Sequence, residues 1–192
     1  MPTVMQFGLG LGLAGVAGVR TYLPLIMIGL LTRFSDTLSY RPSFKILASV
    51  PVLLLLTGLA GFELIAGPAS DLSNNRLMIT LGLRALGGAI VFAGIFGWFG
   101  TFGGLLFGAV AAVLSHLTMV KLRLFYGQDN FGGRAGLAAG IEETAAVTGT
   151  VLAVLLPWSS YFIWGGILFV FLKKLKHGSR RYRPESKARP WR

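Results

Sequence analysis

The chain has 192 residues, of which 54% are hydrophobic and 13% are charged, and its formal net charge is +11. This composition lies outside the range of soluble globular domains and predicts an all-α, polytopic membrane protein. With no cysteine and two histidines, the chain has no disulfide framework, thiolate metal site or cysteine nucleophile, and a zinc site is disfavoured. We expect neither a metal nor a cofactor.

Six apolar runs are the candidate membrane segments, because most reach the roughly 20 residues that a helix needs to cross a bilayer core. They cover residues 4–32, 46–66, 77–99, 100–120, 136–156 and 158–172. The sequence therefore predicts a membrane helix bundle over residues 1–172, followed by a basic, disordered tail over residues 173–192.

The first run contains a charge and a proline in the stretch GVAGVRTYLP. Pro24 cannot donate a backbone hydrogen bond to the carbonyl of Arg20, so the helix should break or kink there. A second half would begin near Thr21, whose hydroxyl can cap it. Arg20, Tyr22 and the positive end of this second helix would then receive an anionic group, such as a phosphate or a carboxylate. The alternative is that Arg20 pairs with an internal acid, because buried charges need partners.

The second and fifth runs supply acids for such a pairing. Glu63 precedes Pro68 and Asp71 in ELIAGPASD, and Glu142 is followed directly by Glu143 in GIEETAA. Adjacent helix positions differ in direction by about 100°, so one of the two glutamates should point inward and the other toward a neighbouring helix or the interface. We predict that these acids either couple to protons or form structural ion pairs.

The third and fourth runs add a buried cation and a histidine. Arg84, in LGLRALGG, either snorkels to the headgroups or joins the interior network, and we assign it to the anion-binding group. His116 and Arg123 lie two turns apart on roughly the same helix face, in SHLTMVKLR. We assign both to the proton-coupling or ion-pair network, with His116 as a packing residue or a proton shuttle.

Basic residues constrain the topology, because they prefer the cytoplasmic side. They cluster at 33–45, at 121–134 and in the tail. Three apolar runs separate the first two clusters, so one of them should be re-entrant. The candidates are the stretch ending GFELIAGP and the stretch GIFGWFGTFGG. The tail should be cytoplasmic and bind anionic lipid, and no nucleic-acid partner is expected, because no folded recognition module accompanies it.

Glycines recur at helical spacings that allow helix backbones to approach closely in lipid. The pairs are Gly8/Gly12, Gly100/Gly104, Gly104/Gly108 and Gly136/Gly140. We predict close helix packing at these positions, with a thin-walled cavity as the alternative. A homo-oligomer is left open.

These motifs, taken together, resemble a small bacterial and plant membrane-protein family catalogued only as a domain of unknown function, number four-one-two-six. The segments that carry the resemblance are GVAGVRTYLPLIMIGLLTRF, FELIAGPASD, LRALGG, SHLTMVKLR and GIEETAA. It implies a multi-helix membrane fold and no settled activity. The motif positions are Arg20, Pro24, Glu63, Pro68, Asp71, Arg84, His116, Arg123 and Glu142. One departure is AGPASD, where an aspartate–lysine pair is expected before the proline.

The stretch GVRTYLPL is also similar to the arginine–proline motif of the DedA family, which implies the handling of undecaprenyl phosphate and other lipids. We therefore predict a transporter-like or lipid-handling protein of the bacterial inner membrane, in which Arg20 receives an anion and Glu63, Glu142 or Glu143 couples to protons. The competing prediction is a non-transporting scaffold or assembly factor with structural ion pairs. No enzymatic activity is expected, since no catalytic motif is present; an intramembrane lipid enzyme is a third alternative.

Overall fold

The computed structural model describes residues 3–34, 42–65, 74–97, 100–127 and 134–178. These residues are helical almost throughout and contain no strand, so the all-α prediction is confirmed for this part of the chain. The helices are α1 (Thr3–Ala17), α2 (Tyr22–Phe34), α3 (Val50–Ile65), α4 (Asn74–Ile95), α5 (Gly100–Gly127), α6 (Arg134–Leu155) and α7 (Ser159–Gly178), with a 3-10 helix (Pro42–Ala48) before α3.

The first apolar run is divided between α1 and α2, as the proline predicts. Four residues, Gly18–Thr21, separate α1 from α2, and the backbone N–H of Arg20 still donates to the carbonyl of Val16 at 2.8 Å. Pro24 is the third residue of α2. The first N–H groups of a helix have no partner inside it, so a proline in the first turn removes no helical hydrogen bond. The interruption therefore lies at Gly18–Thr21, and α2 continues normally beyond it.

Helix α1 lies at the centre of the bundle and contacts α2, α4, α5 and α6. Its side chains Leu9 and Leu13 are almost completely buried, together with Ile28 of α2 and Val91 of α4. They belong to one apolar core cluster, and a second cluster contains Val16 and Val19, which lie at or next to the interruption.

Glycine allows the closest helix contacts, as predicted for two of the glycine pairs. A side chain at Gly108 would overlap the backbone carbonyl of Gly88, and one at Gly12 would overlap the hydroxyl of Ser160. Gly8 and Gly104 are also too close to backbone atoms for a Cβ. Gly100 differs, because a Cβ there would meet no described atom within 4 Å.

At two of the predicted glycine positions, the described residues show no close helix packing. Gly100 begins α5 with a φ of 68°, a conformation that an L side chain rarely adopts. Gly140 has open space within 4 Å among the described atoms. Among the described residues, the backbone conformation rather than close packing therefore explains Gly100, and no close contact explains Gly140.

Within the described residues, two helices are long and apolar enough to cross a membrane, over Met78–Ile95 and Gly100–Lys121. The 3-10 helix and α3 make a third apolar segment if they are one span, but they meet at a bend of 63°. Such a bend occurs in a broken span and in a re-entrant loop alike. The helices are those of a membrane protein; six crossings and the identity of a re-entrant run stay predictions.

The chain divides into two units, residues 1–161 and residues 162–192. In the second unit, α7 continues to Gly178, beyond the predicted end of the membrane domain at 172. Lysine is a good helix former, so the three lysines between 173 and 176 do not end the helix. Residues 179–192, the rest of the predicted tail, lie outside the described residues.

Candidate functional site

The interruption between α1 and α2 is packed tightly against α4 and α5. A Cβ at Gly18 would overlap the carbonyl of Ala112 on α5 and lie 2.8 Å from the Cβ of Ser115. On the other side, a Cβ at Gly87 of α4 would lie 2.5 Å from the methyl group of Thr21. Small residues on both sides therefore fix the backbone that carries Arg20.

Arg20 is buried and paired with two carboxylates. Its Nη2 lies 2.8 Å from Oε2 of Glu143 on α6, the distance of a charge-assisted hydrogen bond. Its Nη1 lies 3.6 Å from Oε1 of Glu63 on α3, an ion-pair distance beyond the range of a hydrogen bond. Nε of Arg20 makes no hydrogen bond within the described part of the chain. Pairing with an internal acid, one of the two alternatives left open by the sequence, is thus present.

Arg84 belongs to the same network. Its Nη1 donates to the carbonyl of Gly18 at 3.0 Å and to Nδ1 of His116, and its Nη2 lies 3.9 Å from Oε1 of Glu63. A guanidinium only donates, so Nδ1 of His116 is the acceptor, which assigns the proton of a neutral imidazole to Nε2. Arg84 therefore joins the interior network, one of the two roles predicted for it, rather than extending to the headgroups.

A single carboxylate oxygen connects the two arginines. Oε1 of Glu63 is within ion-pair distance of both Arg20 and Arg84, and Glu143 completes a group of two positive and two negative side chains. The side chains of both arginines are 10% exposed, whereas those of Glu63 and Glu143 are 23% and 35% exposed. The cations are therefore enclosed, and the acids lie on the more accessible side.

The other predicted residues are less closely connected to Arg20. Thr21 is buried directly before α2, and Tyr22 packs against the apolar core cluster. Pro24 is fully buried. Glu142 is buried, whereas Glu143 is partly exposed and reaches Arg20. The two glutamates therefore diverge, as their adjacent positions on the helix require.

Some predicted residues cannot be compared with the structure. Pro68 and Asp71 lie outside the described residues. Arg123 is in α5, but its side chain is not among those described. In the part that is described, no group of three or more His, Asp or Glu side chains could hold a metal ion.

The sequence reasoning missed the backbone of the site. Gly18 supplies the carbonyl that accepts from Arg84 and the close contact with α5. Its signal was its position two residues before a buried arginine, at the end of an apolar run. Ser115, buried next to His116, was missed as well.

A family model described as Domain of unknown function (DUF4126) matches residues 7–177. No curated protein and no solved structure matches the chain. The similarity to the DedA motif stays a prediction.

Proposed function

We propose that this chain, which belongs to the family described as Domain of unknown function (DUF4126), is a transporter-like or lipid-handling membrane protein that binds an anionic group at Arg20 and takes up protons as it does so. The observation that supports this most is the pairing of an enclosed guanidinium with carboxylates from two separate helices. Ionisable groups within apolar membrane helices are costly and often mark substrate or ion pathways.

In the proposed binding step, an anionic ligand replaces a glutamate carboxylate beside Arg20. Arg20 stays charged at any accessible pH, whereas a carboxylate can be neutralised by a proton. An anion that replaces Glu143 at Nη2 of Arg20 leaves that carboxylate without its partner, and we propose that a proton taken up by the site compensates the added negative charge. Glu143 is the more exposed of the two acids, and we expect it to exchange first.

Neutralising Arg20 tests this proposal. The purified protein would be placed in phosphatidylcholine nanodiscs and titrated with inorganic phosphate or with phosphatidic acid. We expect the wild type to bind one of the two probes and Arg20→Gln to lose that binding. Arg33→Gln is the matched control, since Arg33 is an arginine on the exposed end of α2 that donates to the carbonyl of Ala48. Binding that survives in Arg20→Gln contradicts the proposal.

A second candidate function is a scaffold whose ion pairs are structural. It is favoured by the fact that both Nη atoms of Arg20 already contact carboxylates. In that case the wild type binds neither probe, and Arg20→Gln lowers the stability of the protein without affecting any binding. The binding titration therefore separates the two functions, whereas thermal unfolding only shows how much the ion pairs contribute to stability.

For the cellular setting we propose the bacterial inner membrane, with several crossings and a cytoplasmic C-terminal tail. The support is the excess of nine Lys and Arg over one Glu in residues 173–192 and the positive-inside rule. A C-terminal fusion to green fluorescent protein should fluoresce, and a fusion to alkaline phosphatase should be inactive, because these reporters work on opposite sides of that membrane. The reverse pattern overturns this orientation.

A further inference from the structure

The geometry points to a site for a doubly charged phosphate monoester at the position of the Glu63 carboxylate, between Arg20 and Arg84. This inference rests on the proposed function and names the ligand class. The shared chemistry is a phosphate group with a single ester link, either in a lipid headgroup or as free phosphate.

The first support is the convergence of two arginines on one oxygen. Oε1 of Glu63 lies 3.6 Å from Nη1 of Arg20 and 3.9 Å from Nη2 of Arg84. Both distances exceed the roughly 3.2 Å limit of a good hydrogen bond, so this oxygen is held between the guanidinium groups mainly by charge. A phosphate monoester has three terminal oxygens, and one or more of them can accept hydrogen bonds from each guanidinium, the geometry for which arginine is suited.

The second support is that the arginines are held in place independently of Glu63. Arg84 is anchored by the Gly18 carbonyl and by His116. Arg20 is fixed by the packed interruption, and its buried Nε has no hydrogen-bond partner among the described residues. The side chain of Arg20, nine-tenths buried, therefore retains a donor for a ligand.

The third support is that Glu63 can be replaced. It is carried by α3, which among the described residues packs mainly against α2 and the 3-10 helix. Its carboxylate is partly exposed. The charged groups that act on it among the described residues are Arg20, Arg84 and Glu143, so a phosphate that displaces it lies beside two cations and competes with Glu143 as well.

Charge balance then selects a dianion. A phosphate that contacts both Nη atoms of Arg20, which now contact Glu63 and Glu143, displaces both glutamates from that guanidinium. Two buried positive charges remain, on Arg20 and Arg84. A phosphate monoester carries about −1.5 to −2 near pH 7 and balances them. A phosphodiester carries a single negative charge and leaves one cation without compensation, which is costly in a buried site.

The experiment compares monoesters with diesters in phosphatidylcholine nanodiscs. The lipid arm uses phosphatidic acid against phosphatidylglycerol with the same acyl chains, and the soluble arm uses inorganic phosphate against dimethyl phosphate. We expect the monoester to bind about tenfold or more tightly than the diester in at least one arm, as an added charge-assisted hydrogen bond should give. A preference in the lipid arm alone identifies a headgroup, and one in the soluble arm identifies free phosphate.

Two variants test the roles of the flanking residues. Arg84→Gln should lose the preference for the monoester while still binding the diester, and Arg33→Gln should behave like the wild type. Glu63→Gln, which removes the competing charge and keeps the shape, should bind the monoester more tightly and take up fewer protons on binding, measured by calorimetry in buffers of different ionisation enthalpy. This gain keeps the inference testable if Arg84→Gln does not fold.

The outcomes separate this inference from the proposed function. If neither probe nor its diester binds to the wild type, the proposed function fails. If anions bind through Arg20 but monoesters and diesters bind equally, or if Glu63→Gln gives no tighter binding, only the two-arginine site is overturned.

Discussion

Arg20 and Glu143 form the shortest ion pair of the described network, 2.8 Å between Nη2 and Oε2. The pair connects the interruption after α1 to α6, so each partner holds the other in a largely apolar surrounding. Removing one partner of a buried pair leaves an uncompensated charge, and this costs more than the intact pair contributes. Here Glu63 remains as a second partner of Arg20, which should soften the effect.

The first prediction concerns Glu143→Gln. We expect this substitution to lower the free energy of unfolding by about 1–3 kcal/mol, less than the about 3–5 kcal/mol of a fully buried pair, since Glu143 is partly exposed. Equilibrium unfolding in mixed micelles measures the change. The control is the double variant Arg20→Gln with Glu143→Gln, whose loss should be smaller than the sum of the single losses. Strict additivity contradicts a direct pair.

At this same scale, the sequence predicts the location of the charges better than their partners. Pro24 is enough to place an interruption near Arg20, because the missing N–H is a local property. The choice of Glu63 and Glu143 as partners is not local. Glu142 carries the same charge one position earlier, and only the rotation of α6 against α1 decides which glutamate reaches Arg20.

Two glycines of helix α4, Gly88 and Gly82, differ in how closely other helices approach them. A Cβ at Gly88 would lie 2.5 Å from the Cβ of Ala112 and 2.7 Å from the Gly108 carbonyl, whereas a Cβ at Gly82 on the same helix would meet no described atom within 4 Å. The two glycines lie in the same helix and differ only in what faces them. Helix propensity alone favours alanine over glycine by about 1 kcal/mol in a helix interior.

The second prediction compares these two positions. Gly88→Ala should destabilise the protein by about 1–3 kcal/mol, because α4 and α5 must separate to accommodate the methyl group. Gly82→Ala is the control and should leave the stability unchanged or raise it. Thermal unfolding of both variants in the same detergent is the measurement. Equal effects would mean that α4 and α5 do not approach each other at Gly88.

Some helices begin or end where their apolar runs do, and others extend beyond these runs. Helix α5 begins at Gly100, the residue at which its run begins. Helix α4 begins at Asn74, three residues before its run at 77, and α7 continues to Gly178. Hydropathy does not detect these ends, because polar residues and lysine can continue a helix that has left the apolar region.

For the whole molecule, the unequal distribution of charge and the 63° bend before α3 both bear on whether the 3-10 helix and α3 cross the membrane or form a re-entrant segment. The basic residues at 33–45 and at 121–134 can share the cytoplasmic side only if the segment between α2 and α4 enters and returns, given that α4 and α5 both cross. A re-entrant segment needs backbone groups enclosed by protein. The bend at Ser49, between the 3-10 helix and α3, is where such a segment would turn.

The last prediction tests this topology by labelling single cysteines, which is direct because the chain has none. Cysteines at Phe34, Lys121 and Thr101 would be treated from either side of inverted and right-side-out vesicles with a membrane-impermeant maleimide. With a re-entrant segment, Phe34→Cys and Lys121→Cys react from the cytoplasmic side and Thr101→Cys from the opposite side, because α5 separates the last two positions. If the 3-10 helix and α3 form a complete crossing, Phe34→Cys and Lys121→Cys react from opposite sides. The positive-inside rule would then be broken at one of the two basic clusters.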